Sequence, residues 1–294
     1  MERVGWIGTG IMGSSMCRHL QEAGYPVTVY NRTKAKAGAI IDAGATWVDD
    51  PAAVAAQSDV VFTILGYPRD VEEVYLGEGG LLFASEAGTI FVDMTTSEPS
   101  LAQRIAEAAA ERGCSSLDAP VSGGDVGARN GTLAIMVGGP EEAFDAVRPM
   151  LDHLGENISL LGPPGAGQHT KCCNQTLVAG NTIGMVESLL YGYKAGLDLD
   201  QLIDVIGKGA ASSWVMNNMG RRIAKGDFDP GFMIKHFVKD MGIVLREAEA
   251  MNLALPGLSL VNQFYLSAMA LGWENLGHQG LYRILARMNG MESH

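Results

Sequence analysis

Short apolar runs alternate with amphipathic stretches through the first half of the chain. Arg3-Val4-Gly5-Trp6-Ile7 predicts a strand. Gly8-Thr9-Gly10-Ile11-Met12-Gly13 follows, then a helical pattern through Met16, Leu20 and Ala23 that Gly24 closes as a C-terminal cap. Further strands are predicted at Pro26–Tyr30, Asp59–Leu65, Thr89–Asp93, Leu133–Gly139 and Asn157–Leu160, and Leu117–Val121 leads into a loop at Ser122–Gly131. Pro99 and Pro140 each open a helix, a position where the missing N–H leaves no bond unmade. After Gly162 the strand runs vanish. Helical spacing takes over, with candidates at His169–Ala195, Asp198–Ile206, Ser213–Ile223, Lys235–Met251, Pro256–Ala270 and Asn275–Met288. The pattern predicts an α/β domain over residues 1–162 and an all-helical domain over 163–294, parted at the Gly/Pro-rich segment Gly162–Gly167.

The first of the late helices stands out. No charged residue occurs from Cys172 to Val186, and Ala179, Gly180 and Gly184 lie among the apolar positions, so the helix reads as buried on most sides. A single lysine, Lys171, sits near its start, just after the hinge. Buried lysines are rare unless paired or used.

Composition narrows the class. With 294 residues, 47% hydrophobic and 18% charged, the chain is that of a soluble globular protein with ample core. A net charge of -12 excludes a nucleic-acid surface but not a local basic pocket. No apolar run reaches membrane-spanning length, and the strand pattern at Arg3 leaves no room for a signal peptide, so a cytoplasmic location is expected. Cys17, Cys114, Cys172 and Cys173 form no CxxC pair, and the six histidines show no ligand spacing, so neither a disulfide nor a metal is expected.

The candidate chemistry follows the same order along the chain. GxGxxG at Gly8, Gly10 and Gly13 lies between a strand and a helix, with a second strand at the right distance. Such a turn, including Ile11 and Met12, approaches a pyrophosphate at a helix N-terminus. The second strand ends in Asn31-Arg32-Thr33 where an NAD-selective turn carries an acid. Arg32 can pair with a 2′-phosphate, so NADP is favoured over NAD. Leu65, Gly66 and Thr96 fall at the carboxyl ends of later strands, where ligands gather. Ser122-Gly123-Gly124 offers a hydroxyl and bare N–H groups to a carboxylate. On a helix Lys171 shares a face with Asn174 and Gln175, at i+3 and i+4. A lysine there can donate a proton to a carbonyl oxygen that gains charge, and desolvation favours the neutral form needed for the reverse step.

Together these segments resemble the β-hydroxyacid dehydrogenase family, which includes 3-hydroxyisobutyrate dehydrogenase, tartronate semialdehyde reductase and the glyoxylate/succinic semialdehyde reductases. The resemblance spans essentially the whole chain. It rests on Trp6–Met16, on Asp118-Ala119-Pro120-Val121-Ser122-Gly123-Gly124, on Gly165–Asn174 and on Lys239-Asp240. It implies a Rossmann domain, a long interdomain helix and an all-α domain. It also implies reversible hydride transfer between NAD(P) and a small hydroxy acid or semialdehyde. By residue, it implies Lys171 as general acid/base with Asn174 beside it, and Ser122, Gly123 and Gly124 on the substrate carboxylate. Thr96 and Lys239 would contact cofactor, and Phe232 and Asp240 would line the substrate pocket. Gln175 departs from the asparagine that many members carry there, and either amide, Asn174 or Gln175, is a candidate substrate contact. The apolar late helices suggest a homo-oligomer, dimer or tetramer.

Two other classes fit parts of this pattern: a non-catalytic NAD(P)-binding scaffold and an imine reductase of similar architecture. Relatives of those kinds lose or replace the lysine, so Lys171 counts against both. A 6-phosphogluconate-type dehydrogenase needs a longer helical domain.

Overall fold

In the computed structural model, which describes residues 2–291, nine strands form two sheets. The larger holds β1 (Val4–Ile7), β2 (Val27–Tyr30), β3 (Thr46–Trp47), β4 (Val60–Thr63), β5 (Ile90–Asp93) and β6 (Ser115–Asp118). Their order is β3-β2-β1-β4-β5-β6 with every pairing parallel, so the strand order reverses between β1 and β4. The smaller sheet pairs β7 (Val121–Ser122) antiparallel to β8 (Leu133–Val137), and β8 parallel to β9 (Gly155–Leu160). Helices α1 (Ile11–Glu22), α2 (Gly38–Asp42), α3 (Pro51–Ala55), α4 (Pro68–Leu76), α5 (Pro99–Ala110), α6 (Gly124–Asn130) and α7 (Glu141–Leu151) connect them.

Both faces of the large sheet are covered, which is why its strands read as continuous apolar runs. Trp6, Phe62 and Val92 enter one core with Met16 and Leu20, while Ile7, Val61 and Phe91 enter another with Tyr75, Leu101 and Ile105. Each large side chain so buried contributes about 1.5–3 kcal/mol.

The helical part comprises α8 (Ala166–Lys194), α9 (Leu199–Ile206), α10 (Arg221–Ala224), α11 (Ile234–Ala250), α12 (Pro256–Ala270) and α13 (Leu281–Met288). The chain divides into two compact units, Met1–Lys171 and Cys172–His294, and the division falls within α8. The second unit has its own core, with Phe237, Met241, Tyr265 and Leu281 fully buried.

Several local expectations are corrected. α8 begins three residues early, at Ala166. It is not buried on most sides: a stripe through Cys173, Leu177, Gly180, Gly184, Glu187 and Tyr191 is exposed, Leu177 by 65% and Tyr191 by 78%. The uncharged run continues across a face that no described element covers. The predicted Ser213–Ile223 helix is a π-helical segment, Val215–Gly220, followed by the short α10. The predicted Asn275–Met288 helix begins only with a 3₁₀ turn at His278–Gly280. Asp198 caps α9 through its side chain rather than joining it. β3 was not expected; two residues are too few to show a period.

Candidate active site

The dinucleotide turn is built by clearance. Gly8 has φ +103°, and a Cβ on it would lie 2.1 Å from the Ile64 carbonyl oxygen. A Cβ on Gly13 would lie 2.1 Å from the Gly8 carbonyl oxygen. Both glycines are required by the protein itself. Gly10 is not: a Cβ there meets no described atom within 4 Å. Gly10 caps the N-terminus of α1 in an extended conformation, and the first turn that follows, Ile11-Met12-Gly13-Ser14, is uncharged. An open, glycine-floored helix N-terminus of this kind is what a pyrophosphate fits.

Around it, Asn31 Oδ1 accepts the Thr9 N–H at 3.0 Å, and Asn31 Nδ2 donates to the Thr33 carbonyl at 2.8 Å. Asn31 therefore shapes the turn at the end of β2. Arg32 is exposed and touches Asp70 Oδ1 at a single 3.3 Å contact. A pair this open is weak, and it leaves most of the guanidinium fork for an anion, although Asp70 dilutes the local positive charge. The Leu65 N–H donates to Thr95 Oγ1 at 2.8 Å, which ties the end of β4 to the loop after β5. Of the two adjacent threonines, Thr95 is buried in this structural bond and Thr96 is half-buried beside it.

The first turn of α8 is anchored by residues whose role was not legible. The Asp118 carboxylate, at the end of β6, accepts the N–H groups of Gly165 and Gln168, each at 2.7 Å, and so caps α8. The Gln168 side chain accepts the Ser97 N–H at 2.9 Å and donates to the Thr95 carbonyl at 2.8 Å. Backbone bonds in both directions join Asp118 to Gly138. The approach is so close that a Cβ on Gly167 would sit 2.4 Å from the carbonyl oxygens of Asp118 and Met136. Burial pushes the Asp118 carboxyl up to about 6, against the pull of its two N–H partners; Asp93, its neighbour across β5 and β6, adds repulsion.

This anchoring sets Lys171 one turn further on. Lys171 is only 6% exposed, and Nζ donates to the Val121 carbonyl at 2.7 Å. Val121 precedes Ser122 in β7, so the structure brings Lys171 to the strand that carries the proposed substrate loop. Gly123 (φ +132°), the N-cap of α6, and Gly124 (φ +61°), its first residue, have positive φ, a backbone that glycine adopts without strain.

The second unit holds a chain of four polar residues. Asn174 Nδ2 donates to Gln175 Oε1 at 2.7 Å, and Gln175 Nε2 donates to Asp240 Oδ2 at 2.5 Å. Asp240 Oδ1 pairs with Lys239 Nζ at 3.0 Å. Gln175 and Asp240 are buried, and Asn174 is half-buried. Phe232 packs against Phe237 and the buried His278, with ring centroids 5.5 and 5.8 Å away. Burial without a compensating charge lowers His278 to about 4, so it is neutral at physiological pH.

The comparisons with known proteins meet this geometry. Residues 3–162 match the family described as the NAD binding domain of 6-phosphogluconate dehydrogenase. Residues 165–285 match that described as NAD-binding of NADP-dependent 3-hydroxyisobutyrate dehydrogenase. The chain therefore belongs to the NAD(P)-dependent β-hydroxyacid dehydrogenase family and is an oxidoreductase.

Among its relatives is the Arabidopsis thaliana protein named "Probable 3-hydroxyisobutyrate dehydrogenase-like 1, mitochondrial", 51% identical over 98% of this chain and 86% of its own length. The 2-hydroxy-3-oxopropionate reductase of Escherichia coli (strain K12) is 38% identical over 97% of this chain and 98% of its own. The solved structure of Psf3 in complex with NADP+ and 2-OPP superposes with a TM-score of 0.89 at 29% identity, covering 96% of this chain and 99% of that one. Among the described residues no helix is long and apolar enough to cross a membrane, and no group of three or more metal-ligating side chains is present.

Proposed function

We propose that this chain is an NADP-dependent reductase and dehydrogenase of a small hydroxy acid/semialdehyde pair, with Lys171 as its general acid/base. The candidate pairs are of the 3-hydroxyisobutyrate, tartronate semialdehyde or glyoxylate/succinic semialdehyde type. The observation that carries the reading is the buried Lys171 amino group, which donates to the strand of Ser122. In the reducing direction Lys171 donates a proton to the carbonyl oxygen as charge develops there. In the oxidising direction neutral Lys171 takes the proton from the alcohol. The nicotinamide cofactor, when bound, supplies or accepts the hydride.

The turn of Gly8, Gly10, Ile11, Met12 and Gly13 would hold the pyrophosphate, with Asn31, Arg32 and Thr33 on the adenosine end. Leu65, Gly66, Thr96 and Lys239 would complete the cofactor contacts. Arg32 supports NADP over NAD because it leaves guanidinium nitrogens for a 2′-phosphate. Ser122, Gly123 and Gly124 would bind the substrate carboxylate, and Phe232 would give an apolar wall. The domains are taken as 1–162 and 163–294, a division supported by family models that cover residues 3–162 and 165–285. The exposed apolar stripe of α8 supports a homo-oligomer, and the reading places the enzyme in the cytoplasm.

The test is Lys171→Ala assayed with both cofactors against a panel of these acids. We expect kcat to fall by about 10³-fold, within the range for lost general acid/base catalysis. NADPH affinity by fluorescence titration should stay within about twofold, as Lys171 acts on substrate rather than cofactor. Retained turnover sinks the lysine assignment, and a higher kcat/KM with NADH than with NADPH sinks the cofactor assignment.

A further inference from the structure

The chain of polar residues in the second unit has a direction. An ionised Asp240 carboxylate can only accept hydrogen bonds. It faces the end of Gln175 that lies 2.5 Å away, so that end must be the amide nitrogen. This leaves Gln175 Oε1 as an acceptor on the other side, and the Asn174 atom 2.7 Å from it must be Nδ2. Turning the Asn174 amide over would set two oxygens against each other, and turning both amides would set the Gln175 oxygen against the carboxylate. Lys239 keeps the sequence anchored by holding the other carboxylate oxygen. The outcome is that Asn174 keeps its oxygen at the end away from Gln175. That oxygen has no hydrogen-bond partner among the described residues and is not sealed from solvent.

Gln175 is long enough to span between Asn174 and Asp240. Each end of its carboxamide is bonded inside the protein and the side chain is 3% exposed, so it presents little polar surface to a substrate. Asn174, one helical turn beyond Lys171, presents its oxygen.

We propose that Gln175 is a positioning residue that fixes Asn174 as a hydrogen-bond acceptor, so that preferred substrates carry a donor hydroxyl beside the reacting carbon. This rests on the oxidoreductase reading above, in which Lys171 serves the reacting oxygen. A site built to accept from a hydroxyl rejects an analogue lacking it, because the acceptor is then left without its partner.

Two stable acids isolate this one group. Glycerate and 3-hydroxypropionate share the carboxylate and the reacting carbon and differ only by the 2-hydroxyl. Each is oxidised with NADP+ (and NAD+) by the wild type, Asn174→Leu and Gln175→Met, and kcat/KM is compared. The wild type is expected to favour glycerate by about 10²-fold, below the 10⁴–10⁵ of a fully enclosed site because Asn174 is half-buried. Asn174→Leu should bring the ratio close to one. Gln175→Met keeps the side-chain length but releases the Asn174 amide to turn, and should lower the ratio about tenfold.

A merely structural Gln175 would change both substrates alike and leave the ratio where it was. A wild-type ratio near one, or a ratio untouched by Asn174→Leu, overturns the proposal while leaving the oxidoreductase reading in place. Absence of turnover with either acid and with the wider panel overturns the reading beneath it. If Gln175→Met does not fold, as judged by its unfolding transition, Asn174→Leu at the half-exposed position decides alone.

Discussion

Two successive turns of α8 are each held by a buried aspartate, and they are held differently. Around Gly165–Lys171 the aspartate grips backbone: Asp118 takes two main-chain N–H groups, and Gln168 adds a bonded pair to the Thr95–Ser97 loop. Around Asn174–Gln175 the aspartate grips a side chain, and the order passes from one amide to the next. Backbone anchoring fixes where the helix runs but demands that nothing project from it, hence Gly167. Side-chain anchoring tolerates bulk and fixes polarity instead. The first turn should therefore be sensitive to added atoms and the second to exchanged donors and acceptors.

The sharpest way to break this contrast is to add one methyl group in two places on the same helix. Gly167→Ala forces a Cβ within 2.4 Å of two carbonyl oxygens and is expected to destabilise by about 3 kcal/mol or more. Gly180→Ala meets nothing within 4 Å and should stabilise by up to about 1 kcal/mol through helix propensity. Urea unfolding of both variants measures the difference; equal effects would show that clearance is not what Gly167 supplies.

A second, graded test uses pH. Asp118 titrates near 6 when folded, against a reference of 3.8. The folded state thus holds this proton more tightly than the unfolded state. Its contribution to stability is fully present below pH 3.8, is lost as pH rises through 6, and is then constant. The shift corresponds to about 3 kcal/mol. Asp118→Asn removes this dependence and turns an amide N–H toward a backbone N–H, an unmade bond costing about 1–3 kcal/mol. Subtracting the unfolding free energies of the two proteins between pH 4 and 7 should give a curve that falls to a plateau. A flat difference would place the Asp118 proton elsewhere.

The contrast also separates what could be read from the chain in advance. The dinucleotide turn was legible as a candidate because strand, three glycines and helix are contiguous in the sequence. Lys171 was legible as a candidate because a lysine at the head of an uncharged helix is rare. Asp118 and Gln168 were not legible as anchors, since their partners lie 47 to 73 residues away and no spacing signals such a bond. Gln168 does sit one turn before Lys171, the one local hint available. The π-helical turn at Val215–Gly220 escaped because its apolar spacing imitates an ordinary helix over so short a span. The open stripe on α8 escaped because a run without charges says nothing about which faces are covered.

The smallest expected effect concerns the empty space above Gly10. Alanine fits the protein there, its backbone is extended rather than left-handed, and the unfolded chain loses freedom. Gly10→Ala should therefore raise stability by about 0.4–1 kcal/mol in the absence of cofactor. In the proposed cofactor site the same methyl group would stand where the pyrophosphate approaches, and NADPH affinity in a fluorescence titration should then fall by about tenfold or more. Heat tolerance and ligand binding then move in opposite directions at a single residue. A library of variants sorted only for thermal survival would enrich this substitution and return a sturdier protein with weaker cofactor binding, so any campaign to harden the enzyme has to score cofactor retention alongside melting.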